Sequence, residues 1–126
     1  MQTLVQAYQR ARQAKLPPER DFVFLGLAYL RYGEIQNCCQ QSTPESCILP
    51  LRGGGLHSKP EGSSNAMAAF LQVLKPNNPR YHSTRCLHNV AAMTVGDYTN
   101  NIPKENRVFN ERVSYLGTFP RFSNIA

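Results

Sequence analysis

No stretch of the 126 residues approaches the roughly 20 consecutive apolar residues that a membrane-crossing helix needs, and the uncharged run Phe22 to Leu30 falls far short. Residues 1–15 carry Gln2, Gln6, Gln9, Arg10, Arg12 and Gln13, so the apolar centre of a secretory leader is missing as well. A basic run is also absent. The net charge is +6, but residues 1–40 hold +2, residues 41–79 hold +1 and residues 80–126 hold +3. A face that tracks phosphates needs clustered Lys and Arg, so this spread argues against a nucleic-acid partner. Nor is the chain short of apolar residues, at 41%, or dominated by its 8 Gly and 9 Pro, which excludes a fibrous repeat and wholesale disorder.

What is present is helical periodicity. Leu4, Val5, Tyr8 and Ala11 predict a helix over residues 2–15, stopped by Pro17 and Pro18. A second helix fits residues 19–37, with Glu19 and Asp21 in its first turn and an inner stripe of Phe22, Leu25, Gly26, Tyr29, Leu30 and Gly33. A third is expected from a cap at Ser63 or Ser64 to Leu74, burying Ala66, Met67, Phe70, Val73 and Leu74. A fourth runs from Pro79 or Arg80 to Val95, with Leu87, Val90, Ala91, Thr94 and Val95 inward and Gly96 as its stop. Beyond Asp97 the pattern is irregular, with at most one short helix near residues 104–114. The expectation is an all-α domain over residues 1–96, built of helical hairpins, with an inserted loop at 38–63 and an extended tail at 97–126.

The loop concentrates the candidate chemistry. It holds Cys38, Cys39 and Cys47, the triplet Gly53-Gly54-Gly55, and His57. With Cys86, the cysteines can be disulfides of an oxidising compartment or thiols of a reducing one, and the residues alone leave both open. Structural zinc takes ligands two to four residues apart in each half-site, whereas these cysteines are adjacent or widely spaced and His57 stands alone, so no metal is expected. Cys47 with His57, or Cys86 with His82 or His88, could form a thiol–imidazole pair, but nothing marks a nucleophile elbow or an oxyanion hole. No Lys-Ser/Thr follows the glycines, which removes a phosphate-binding loop. Instead they allow tight backbone approach, with positive φ open to each. Gly53, Gly54, Gly55 and His57 are therefore binding-loop candidates, and Tyr32 and Tyr81 candidates for an aromatic groove between helices.

Leu25-Gly26-Leu27-Ala28-Tyr29-Leu30-Arg31-Tyr32-Gly33-Glu34 resembles the first helix of a tetratricopeptide repeat. Ala66, Phe70 and Leu74 before Pro76 resemble the second helix and its terminating proline, and Gly96-Asp97-Tyr98 the end of the next first helix. The Ala66–Pro76 interval is shorter than usual, and no partner helix follows Tyr98. Asn37-Cys38, then Pro44-Glu45-Ser46-Cys47-Ile48-Leu49-Pro50, Gly53-Gly54-Gly55-Leu56-His57 and Gly62-Ser63 resemble one family more closely. That family is the secreted FG-GAP proteins with an ASPIC/UnbV domain, related to cartilage acidic protein, at their N-terminal helical region. The likeness continues through Leu87 to Tyr98 and Ile102-Pro103-Lys104-Glu105, and Phe119 to Ala126 is similar to the lead-in to a propeller.

This resemblance implies a Cys38–Cys47 disulfide, with Cys39 and Cys86 less firmly placed, and an extracellular location. It also implies a β-propeller with calcium-binding repeats outside these residues, which contain no D-x-D-x-D-G loop, so the chain is expected to be part of a larger protein or a free-standing helical portion. The function expected is a non-catalytic protein-interaction or assembly module without cofactor. Its partner would be its own propeller, a second copy or another subunit. The alternatives are an intracellular adaptor with free thiols and a Cys/His hydrolase or metal site.

Overall fold

The computed structural model describes Gln6, Gln13 and residues 18–46, 51–96, 98, 100 and 102–108. The fold is all-α, with helices α1 (Pro18–Glu34), α2 (Glu61–Leu71) and α3 (Tyr81–Thr94) and no strand among the described residues. Of the helix expected at 2–15, Gln6 and Gln13 are described, both helical and exposed, and the remainder lies outside the described residues.

Pro18 starts α1 where a missing N–H costs nothing, and Glu19 and Asp21 face the positive end of the helix dipole. The helix was expected to reach residue 37 as regular α structure. Instead it widens into a π-turn at Ile35–Cys39, where the Gln40 N–H reaches back five residues to Ile35 O at 3.1 Å. Within it Asn37 Nδ2 donates to Gly33 O at 2.8 Å.

Helices α1 and α2 are antiparallel and very close. A Cβ on Gly26, early in α1, would run into the ring of Phe70, late in α2. One on Gly62, early in α2, would stand 2.6 Å from the nitrogen of Gly33, late in α1. Side chains at these glycines would force the helices apart. The core is Leu30, Ala66, Phe70 and Ala91, flanked by Tyr29, Met67, Leu87 and Val90, so α3 packs on the same centre. The expected α1 stripe is met at Gly26, Leu30 and Gly33; Val23 joins the buried set, while Phe22, Leu25 and Tyr29 are only half-buried.

Helix α2 begins before the expected serine cap and ends before Leu74. Pro60 stands at the N-cap and Glu61 opens the helix; Ser63 is fully buried and its hydroxyl points into the molecule, so it cannot cap. Past Leu71 the chain turns, with Val73 N–H on Phe70 O at 2.9 Å, and Val73 remains buried. Gly96 at φ 74° ends α3 as expected. Of the short helix expected near 104–114, the described part is one 3₁₀ turn, Lys104–Asn106, and residues 109–126 lie outside the described residues.

Candidate functional site

The segment between α1 and α2 is pinned at its return rather than free. Asn37 holds it first. Its Nδ2 donates to Lys59 O at 3.0 Å and its Oδ1 accepts the Lys59 N–H at 2.9 Å, so one side chain pairs with both main-chain groups of the returning strand of chain. The Ser58 hydroxyl adds a contact to Oδ1 at 3.4 Å and another to Gln41 Oε1 at 3.1 Å.

His57 is the second anchor. Its N–H donates to Thr94 O at 2.8 Å, which also occupies one of the unpaired carbonyls at the end of α3. Its ring is buried, with Nδ1 3.0 Å from Ser63 Oγ and Nε2 3.5 Å from Cys38 Sγ. The chain of contacts continues from Ser63 Oγ to Thr94 Oγ1 at 2.6 Å, and Thr94 Oγ1 also lies 2.7 Å from Ala91 O. Thr94 has one hydroxyl hydrogen and two acceptors. With that hydrogen on Ser63, the Ser63 hydrogen turns to Nδ1 and the ring proton sits on Nε2, facing the sulfur. With it on Ala91 O, Ser63 donates to Thr94, Nδ1 carries the ring proton and Nε2 is bare. Burial pushes the His57 pKa down, partly countered by the charge of Glu34, and both settings are neutral.

The three glycines do different work. A Cβ on Gly55 would stand 2.5 Å from Glu45 O, and one on Gly54 would stand 3.0 Å from Glu45 Oε2. These two allow the turn to lie against residues 43–45 and do so without positive φ. Only Gly53 takes that freedom, at φ 51°, and a Cβ there would meet nothing. The glycine turn lines a cavity of about 360 Å³ that also borders the π-turn and the bend at Thr43 and Ser46. Its lining is uncharged: polar side chains of Asn37, Gln41 and Ser58 and glycine backbone, with Leu56 at one side.

A second asparagine repeats the device on α3. Asn89 Nδ2 donates to Asn106 O at 2.8 Å, and its Oδ1 accepts the Val108 N–H at 2.9 Å. Its Nδ2 also reaches Arg85 O, four residues back, at 2.7 Å. Tyr81 OH donates to Asn106 Oδ1 at 2.7 Å, and Ile102 is buried. Beside Asn89, however, His88 is 1% exposed and neither ring nitrogen finds a partner among the described residues; Thr84 Oγ1, one turn earlier, is buried and equally unpaired among them. Burial pushes the His88 pKa down.

Of the residues expected to matter, Gly53, Gly54 and Gly55 do frame a cavity, while His57 stands behind it as an anchor. Tyr81 is committed to the segment at 102–108 and Tyr32 accepts a hydrogen bond from Gln36 Nε2 at 2.6 Å within its own helix stretch. Each is engaged locally. Cys39 and Cys86 are exposed thiols, so the conceivable Cys39–Cys86 link is not made, and no two described cysteines are joined; Cys47 lies outside the described residues. The pairing of Cys86 with His88 also fails, because the helix puts the first outside and the second inside. Among the described residues no group of three His, Cys, Asp or Glu could hold a metal, and no helix is long and apolar enough to cross a membrane. The residues that sequence reasoning missed as anchors are Asn37, Ser63, Asn89 and Thr94. Polar residues on inward helix faces were their one signal. Comparison with protein-family models, with curated proteins and with solved structures returns no match.

Proposed function

We propose that the chain is a non-catalytic protein-interaction or assembly module. The observation that carries this reading is an inversion of the usual distribution. Phe24 is 51% exposed and Leu27 37%, three residues apart on α1, and Ile35 is 39% exposed at the start of the π-turn that follows, while His57, Ser63, Thr84, His88, Asn89 and Thr94 are buried. Large apolar side chains grouped on a surface mark an interaction site when they are not scattered singly. The buried His57, Ser63 and Thr94 side chains are spent on structure: both nitrogens of His57 and the hydroxyls of Ser63 and Thr94 hold the loop in place.

The resemblance of Asn37 through Ser63 to the helical region of secreted ASPIC/UnbV proteins supports one further part of the proposal, an extracellular location; the disulfide it also implies at Cys38 is not made in the structure. The partner is a protein, whether a second copy, another subunit or a propeller of the same polypeptide. Self-association is the form tested most directly. Sedimentation of the full chain at about 100 μM, a range in which weak specific interfaces assemble, is expected to give a mass above 14.2 kDa, falling to 14.2 kDa with Phe24→Ser and Leu27→Ser together. A wild-type chain that stays at 14.2 kDa rejects the second-copy form, and unchanged assembly in the variant rejects this face of α1.

A further inference from the structure

We infer that the cavity under the glycine turn is a binding pocket for an uncharged, amide-bearing segment of a partner polypeptide. This inference rests on the reading of the chain as an interaction module, and names what one of its surfaces accepts.

Three observations carry it. The cavity holds about 360 Å³, more than twice the roughly 150 Å³ that accommodates a benzene-sized guest, so a side chain with its flanking peptide bonds fits. Apart from Cys38, its lining has no ionisable side chain, in a chain whose net charge is +6. An anionic group entering it would leave water for a lining without a cation, whereas a neutral amide exchanges one set of hydrogen bonds for another. The frame is also already committed and therefore rigid: Asn37 spends its Nδ2 on Gly33 O and Lys59 O and its Oδ1 on the Lys59 N–H. Gln41 is not so spent. Its Oε1 takes the Ser58 hydroxyl, which leaves its Nε2 to donate to an incoming carbonyl.

Gly53 is the lining position that can take a side chain. At Gly55 a Cβ would run into the Glu45 backbone, and at Gly54 it would crowd the Glu45 carboxylate and Thr43; Gly53, exposed and part of the lining, has open space around that position. A side chain at Gly53 would therefore add bulk to the edge of the pocket without displacing any atom of the protein. Asparagine is the residue to use, since it tolerates positive φ better than other side chains.

The test uses N-acetyl-asparagine N′-methylamide as the neutral probe, its aspartate counterpart as the charged isostere and glucose as a hydroxyl-rich control. Each is titrated into the full chain while proton–nitrogen correlation spectra follow the Gly53 and Gly54 amides and the Gln41 side-chain amide. A ligand of this size should bind at about 1–10 mM. The asparagine probe is expected to shift those signals saturably, with the aspartate probe about tenfold weaker. Gly53→Asn should abolish the shifts while leaving thermal unfolding in place. Gln41→Ala, at an exposed position, should weaken them and serves if the first variant does not fold. The inference is overturned by an absence of shifts, by equal response to the charged probe, by shifts that persist in both variants, or by binding of glucose alone. Each of these leaves the sedimentation result at Phe24 and Leu27 untouched, so the two readings fail separately.

Discussion

The loop side and the tail side of the molecule are built on the same plan and finished differently. On each, an asparagine grips a returning piece of chain by its main-chain groups, and a histidine lies buried nearby. Asn37 holds Lys59, with His57 behind it; Asn89 holds Asn106 and Val108, with His88 beside it. On the loop side α2 contributes the Ser63 hydroxyl, and every polar atom of the His57 ring has a neighbour. On the tail side nothing performs that service, and His88 and Thr84 are buried without partners among the described residues. Burial of a polar ring thus has opposite meanings in one small fold. With partners it fixes a loop; without them it is a cost that the surrounding apolar packing must offset.

The largest effect should come from the shared hydroxyl. Ser63→Ala removes the neighbour of both His57 Nδ1 and Thr94 Oγ1 and should cost about 3 kcal/mol in urea unfolding, since two buried groups lose a partner at once. A loss below about 0.5 kcal/mol, the scatter of ordinary surface changes, would mean that the contacts stabilise nothing. Next come the asparagines. Asn37→Ala and Asn89→Ala should each cost about 2 kcal/mol, by leaving main-chain groups unpaired. Hydrogen exchange separates them: the first should speed exchange at Lys59 only, the second at Val108 only. Loss of protection at both sites in either variant would show that the two grips are one cooperative unit.

The histidines then give a difference of sign. His57→Leu should destabilise by about 2 kcal/mol, whereas His88→Leu should be neutral or stabilising by about 1 kcal/mol, because it removes two buried unpaired nitrogens and adds apolar contact. Equal losses would end the contrast.

The smallest effect is the pH dependence. Burial lowers both pKa values, so the unfolded chain takes up protons first, near the ordinary histidine value of about 6.5. Stability should therefore be full above about pH 6.5 and decline as the pH falls from there towards the depressed folded pKa values. His88→Leu should flatten more of that slope than His57→Leu, since the charge of Glu34 partly restores His57. A slope unchanged by both variants would place the acid sensitivity in other groups.

The helices were legible because they depend on local spacing. Leu30, Phe70 and Ala91 recur at helical intervals, and Gly96 has the residue type that a positive φ demands. The anchors were not, because they depend on who meets whom across the fold. Ser63 reads as a cap from its neighbours in sequence, and only the approach of α3 gives its hydroxyl to Thr94 instead. Thr94 sits on an inward stripe and was legible as buried, but not as a polar link. The grip of Asn37 was invisible for the same reason, since its partner lies 22 positions away. Within the glycine triplet the sequence shows three equivalent residues. Which of them has room for a side chain depends on where Glu45 lies.

The grip of Asn89 has a mechanical consequence. It seizes the carbonyl of Asn106 and the amide of Val108, atoms every residue but proline shares at the second position, so the path of the chain is fixed there while its side chains are free to drift. A pull applied beyond Val108 would load this amide before it strained Ile102 or the helices. The bundle would feel traction on α3, through Asn89 at Val108 first and then through Asn89 and Tyr81 at Asn106, and would release the segment from that end inwards.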